Sequence, residues 1–172
     1  MGANPKTTLF LKECLADALI QLLETKPIEK ITVPEIASLA GVGRTTYFRN
    51  FSSKREMLSF KLTLLWERWT DEHNTPKRSY EPENALDFFR FNYSIRPLLS
   101  LMYSRDLQTA LYGAFGIYLA PLHDSDLQEC YESSFYSYGL FGLLDEWIAR
   151  EFRETPEQMA RIVREMFETK RE

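Results

Sequence analysis

The sequence predicts an all-α chain, with a small N-terminal three-helix head followed by an antiparallel helical bundle. Three observations predict it. Apolar residues recur at helical spacing almost throughout, and no run alternates polar and apolar residues as a half-buried strand would. Ser or Thr followed three residues later by Glu or Gln, a pairing that satisfies free N–H groups at a helix start, occurs at four well-separated places. Only seven glycines punctuate 172 residues, few for a chain built of short strands and tight turns.

The elements follow in order. Leu11, Cys14, Leu15, Ala18, Leu19, Leu22 and Leu23 form one apolar stripe, with Lys12, Glu13, Asp17, Gln21 and Glu24 mostly opposite, which predicts a first helix over 8–25. Lys26-Pro27 ends it. Thr32-Val33-Pro34-Glu35 caps a short second helix that turns Ile36, Ala37 and Ala40 inward. Gly41 stands where a left-handed residue makes a tight turn, and a third helix follows through Arg44-Thr45-Thr46-Tyr47-Phe48-Arg49-Asn50. Ser53-Lys54-Arg55-Glu56 opens a long helix through Trp66 and Trp69 to about His73, and 74–79 read as a loop. Helices are expected at about 82–92, 95–104 and 106–120, the last stopped by Pro121. Ser125-Asp126-Leu127-Gln128 opens a helix over 125–153, and Thr155-Pro156-Glu157-Gln158 opens the last, 156–169, with Pro156 at the first helical position. The expected division is a head at 1–52 and a body at 53–172.

Bulk properties narrow the function classes. A hydrophobic fraction of 44% supports a buried core, and no apolar run is long enough for a membrane span. The start has no apolar signal core, and Lys6 breaks the myristoylation pattern that Met1-Gly2 would begin. Cys14 and Cys130 stand alone in helices, so neither a disulfide framework nor a metal site is expected, and a reducing cytoplasm is the natural setting. His73 and His123 have no companion residues of a metal or nucleophile site, so neither an enzyme nor a cofactor is expected. Net charge is −4, but residues 1–60 hold eight Lys or Arg against six Asp or Glu, while 61–172 hold thirteen against nineteen. The basic excess sits on the head, where nucleic acid would be met.

The chemistry is concentrated in Ile31–Glu56. Helix, glycine turn and short second helix form a helix-turn-helix. Tyr47 and Phe51 share the core side of the second helix, so Thr45 and Arg49 project oppositely, and Arg44 lies at the end that reaches base edges in this motif. Lys54 sits in the first turn of the next helix, where free N–H groups already favour a phosphate. Each such residue alone reads equally as a solvated surface group or an ordinary cap. Their joint spacing carries the functional reading.

This run, Ile31-Thr32-Val33-Pro34-Glu35-Ile36-Ala37 through Ala40-Gly41-Val42 to Phe51-Ser52-Ser53-Lys54-Arg55-Glu56-Met57-Leu58, resembles the TetR family of transcription regulators. The resemblance covers about residues 8–60 and beyond them is one of helical plan. It implies a bacterial, cytoplasmic homodimer that binds double-stranded operator DNA and is released, as a repressor, by a small ligand in the body. It implies base contacts from Arg44, Thr45 and Thr46, to which the residues themselves add Arg49. Thr32, Asn50 and Lys54 match phosphate-contacting positions. The family usually places a Tyr where this chain has Phe48; either Tyr47 replaces that hydroxyl or the contact is missing.

The body holds 19 of the 24 aromatic residues. Trp66, Trp69, Phe89, Tyr103, Tyr112, Phe115 and Tyr118 either line a pocket for an apolar or aromatic effector or fill an ordinary core. Gly113 and Gly116 leave room for a ligand or for close helix packing. Phe135, Tyr138, Gly139 and Gly142, with Met159, Ile162, Val163 and Met166 of the last helix, form either half of a symmetric four-helix dimer interface or an intrachain face. The competing function is a helical ligand- or protein-binding regulator that does not itself bind DNA.

Overall fold

The computed structural model describes residues 5–73, 85–118 and 126–168, and among them the chain forms nine α-helices, one 3-10 turn and no strand. The helices are α1 (Pro5–Thr25), α2 (Val33–Leu39), α3 (Arg44–Asn50), α4 (Lys54–His73), α5 (Ala85–Ser94), α6 (Arg96–Ser104), α7 (Gln108–Tyr118), α8 (Leu127–Ala149) and α9 (Pro156–Glu168), with the 3-10 turn at Ile28–Lys30. The expected 74–79 loop, the Pro121 stop and the Ser125 cap lie outside the described residues. None of the described helices is long and apolar enough to cross a membrane.

The apolar stripe of α1 buries Leu15, Ala18, Leu19 and Leu23, and α2, α3 and α4 pack against that helix. Ile28, Ile31, Ile36 and Phe51 close the head. α4 then leaves the head and lies along α7. The crossing is close: a Cβ on Gly113 would meet Ser59 Oγ at 2.9 Å, and that hydroxyl donates to the Ala110 carbonyl at 2.7 Å. Gly113 therefore serves helix packing, the second of the two uses open to it. α5 packs on α9, and α6 and α7 on α8. Trp147 of α8 is nearly solvent-free, set against Phe89, Tyr93 and Phe152 with ring centroids 4.9–5.9 Å apart. The buried core is continuous from Leu15 to Val163 and crosses the expected 52–53 boundary.

Polar ties also join the head to the rest. The Lys61 ammonium of α4 reaches Glu13 at 2.9 Å and Asp17 at 2.7 Å, both on α1. Arg68 adds a two-pronged pair to Glu13 at 2.6 and 2.7 Å. At the far end of α1, Arg105 donates from Nε to the Leu23 carbonyl (2.9 Å) and from Nη2 to the Glu24 carbonyl (3.0 Å). It thereby satisfies carbonyls that a helix end leaves free.

Three helices end in one geometry. At Gly41 (φ 67°), Asp106 (φ 56°) and Glu151 (φ 60°) the chain turns left-handed, and at the last of these Phe152 (φ 56°) is left-handed as well. The next residue's N–H then bonds back five residues: Val42 to Ala37 at 3.0 Å, Leu107 to Met102 at 2.9 Å, Phe152 to Trp147 at 2.9 Å. This is the Schellman closure. The third instance corrects the expected helix over 125–153, since α8 stops at Ala149. Ending there carries the Phe152 ring back onto Trp147, where only 9% of it stays exposed.

Candidate nucleic-acid interface

The helix-turn-helix is built from local bonds. Thr32 and Glu35 make a complete capping box: the Glu35 N–H donates to Thr32 Oγ1 at 3.4 Å, and the Thr32 N–H donates to Glu35 Oε2 at 2.8 Å. Glu35 is also paired with Lys26. The Lys26 ammonium, followed by the Thr32 N–H and hydroxyl, holds the Glu35 carboxyl at about 2. Ala37 is buried, so α3 crosses close to α2, and Gly41 makes the turn. The second expected box is shifted by one residue. The Glu56 N–H donates to Ser53 Oγ at 3.1 Å, but the Glu56 carboxylate reaches back to the N–H of Ser52, at 2.6 Å. The Ser52 hydroxyl and then its N–H depress the Glu56 pKa. The box at Thr155 and Gln158 is complete.

α3 is two-sided. Tyr47 and Phe51 are buried, with Phe51 edge-on to Phe60 and the Lys12 ammonium 4.2 Å above the Phe60 ring. Arg44, Thr45, Phe48 and Arg49 are exposed, and Thr46 and Asn50 are half-buried. The Asn50 amide donates to the Thr46 carbonyl at 2.7 Å. With Glu35 and Glu56 engaged internally, the exposed face presents Arg44 and Arg49, which form no ion pair among the described residues. Tyr47 departs from the sequence expectation. Tyr47 is only 5% exposed, and burial, with the Glu56 carboxylate second, raises its pKa. It faces the head core and not the surface that a phosphate would meet.

Lys54 has a use that its position in the sequence did not reveal. Its ammonium donates to the carbonyls of Ile28 and Ile31, the latter at 2.8 Å. An ammonium has three protons, so one is left uncommitted by these two carbonyls. Thr32 lies exposed at the start of α2, and the same Lys54 tether holds the chain just before it.

In the body, Trp66, Trp69 and Phe115 converge: Trp66 meets Phe115 edge-on at 4.5 Å, and Phe91 touches both tryptophans. Three other pocket candidates have their main contacts elsewhere, although Phe89 reaches Phe115 through Phe88 and Tyr112 reaches it through Phe141. Phe89 faces Trp147. Tyr103 donates to Asp145, and burial, then that carboxylate, raises its pKa. Tyr112 is 47% exposed and bonds the Tyr138 hydroxyl at 2.8 Å. The Tyr118 side chain lies outside the description.

The outer face of α8 exposes Phe135 and Tyr138, and among the described residues nothing lies within 4 Å of a Cβ built on Gly139 or Gly142. Ile162 and Met166 of α9 are also exposed, at 36% and 52%. Met159 and Val163 are the correction here: at 5% and 3% exposure they belong to the intrachain core, on the side of α9 that packs against the body.

Comparison with family models matches residues 15–59 to the bacterial regulatory proteins of the tetR family. Residues 90–169 match a transcriptional regulator C-terminal region. No curated protein matches the chain.

Proposed function

The chain belongs to the TetR family of DNA-binding transcription regulators, and from that premise we propose that it acts as a homodimeric repressor released from its operator by a small ligand. Residues 1–52 form the DNA-binding domain and 53–172 the ligand-binding and dimerisation domain of this reading, at work in the bacterial cytoplasm. The observation that carries it is the exposed face of α3, where Thr45 stands with Arg44 and Arg49, which form no ion pair among the described residues, while Glu35 and Glu56 are engaged. Arg44 and Arg49 read bases, with Thr45 and Thr46 beside them. Asn50 and the remaining proton of Lys54 hold phosphates, and Thr32, whose N–H and hydroxyl both donate to Glu35, joins them by exchanging its hydroxyl bond. Two such heads engage successive major grooves on one side of the duplex, with half-site centres about 34–36 Å apart.

Dimerisation uses the outer face of α8 and α9, supported by exposed Phe135, Tyr138, Ile162 and Met166 and by open Gly139 and Gly142. The effector is apolar or aromatic and sits at Trp66, Trp69 and Phe115. Its support is the aromatic convergence there, together with the buried Trp69 indole N–H, which has no acceptor among the described residues. An effector acts by binding better to a body shape that spaces the two heads wrongly.

The test is a gel shift on DNA flanking the protein's own gene, with Arg44→Ala beside the wild type. An arginine–guanine pair contributes about 1–3 kcal/mol of discrimination, so the variant loses affinity for the cognate site more than for random DNA. Equal loss on both removes Arg44 as a base reader, and no retarded band for the wild type rejects the function.

A further inference from the structure

We infer that Phe48 is a specificity-determining residue that reads the 5-methyl group of a thymine in the major groove; this rests on the DNA-binding reading above and names what one part of that surface recognises. Phe48 is 70% exposed, although it is a large apolar side chain on the helix that faces DNA. It stands four residues after Arg44 and three after Thr45, on the same helical face. Its ring is not loose. Tyr47, itself buried, meets it edge to face with centroids 5.2 Å apart, so the ring is propped outward from a fixed base. With only two side-chain torsions, little freedom remains to be lost on docking.

The chemistry of the duplex selects the occupant. A phosphate presents only oxygens, and a phenyl ring has no donor for them. Among the base edges of the major groove, the thymine methyl is the one apolar group. Arg44 and Thr45 bring donors to neighbouring positions, so the ring falls on an A·T pair beside the pair that Arg44 reads. The ring's apolar surface, left in water in the free protein, is then covered.

The wild-type protein is used to select binding duplexes from a random library. In the selected site each thymine is replaced singly by deoxyuridine, which removes only the methyl. Wild type and Phe48→Ala are titrated on every duplex, with circular dichroism confirming that the variant keeps its helices. In each half-site one replacement is expected to weaken wild-type binding about fourfold, the value of covering one methyl-sized group. Phe48→Ala should be indifferent to that replacement while keeping the other preferences of the site. Indifference of the wild type to every replacement overturns the inference, as does a methyl effect that persists in Phe48→Ala. In both cases the selected site still stands and only the role of Phe48 falls. If the wild type selects no site at all, DNA reading itself falls and takes this inference with it.

Discussion

Replacing Glu13 by Gln loosens the seam between α1 and α4 without changing its size. In the folded chain the Arg68 hydrogen bonds, followed by those of Lys61, hold the Glu13 carboxyl at about 2 against an ordinary 4.5. A displacement of that extent is equivalent to about 3 kcal/mol. Arg68 is 47% exposed, so water screens its share, and about 1–2 kcal/mol is the expected net. The sign follows from a depressed folded value: the contribution is complete above 4.5, fades as pH falls toward 2, and is absent below it. Urea unfolding at fixed protein concentration measures it, since any self-association would make stability concentration-dependent. Glu13→Gln should unfold at lower urea than the wild type at neutral pH, and the gap should close as pH approaches 2. A gap that stays constant with pH would show that the loss is one of packing, and coincident curves at neutral pH would refute the seam's contribution.

Three further outcomes follow from particular contacts. Gly142→Arg puts a bulky charge on an open face of α8; sedimentation should find folded monomers with intact helical content and no operator binding, and a dimer that binds normally takes Gly142 out of the interface. Lys54→Ala removes the donor shared by the Ile28 and Ile31 carbonyls, so thermal unfolding should report a loss of about 1.5–3 kcal/mol, while the folded variant weakens on specific and random DNA alike; unchanged stability would mean the tether is idle in solution. Gly41→Ala meets nothing within 4 Å but must keep a φ of 67°, a backbone penalty of about 1–2 kcal/mol that a chemical-denaturation midpoint would register, with Gly41→Asn the milder change.

How much of this was legible in the sequence depended on range. The Thr32 box, the Gly41 turn and the buried Tyr47–Phe51 pair rest on bonds and spacings within a few residues, and a linear pattern displays such relations directly. The corners at Asp106 and Glu151 use the same turn without glycine. The cost of a left-handed Asp or Glu is offset by burying Leu107 and Phe152, and that burial depends on residues far along the chain. For α9, periodicity defines an apolar stripe but not which edge of it meets α5, so it leaves open the interface and intrachain readings of Met159 and Val163, which the fold resolves inward. Lys54 is bound to carbonyls 23 and 26 residues earlier, beyond any local signal. Arg105, which no motif marks, was missed for the same reason.

α1 can also be regarded as a rod gripped at two stations. Lys61 and Arg68 hold it at Glu13 and Asp17, and Arg105 holds it at Leu23 and Glu24. The stations are about 10–15 Å apart along the axis at the rise of an α-helix. Two fixed points set the direction of a rod, whereas one leaves a pivot. The head rides on α1, so the aim of α3 is set by both grips together. If the α6–α7 corner that carries Arg105 were displaced, one hold would be lost, and the direction of α1, and with it the aim of α3, would rest on the Glu13 grip and on the apolar packing of α1 against α4.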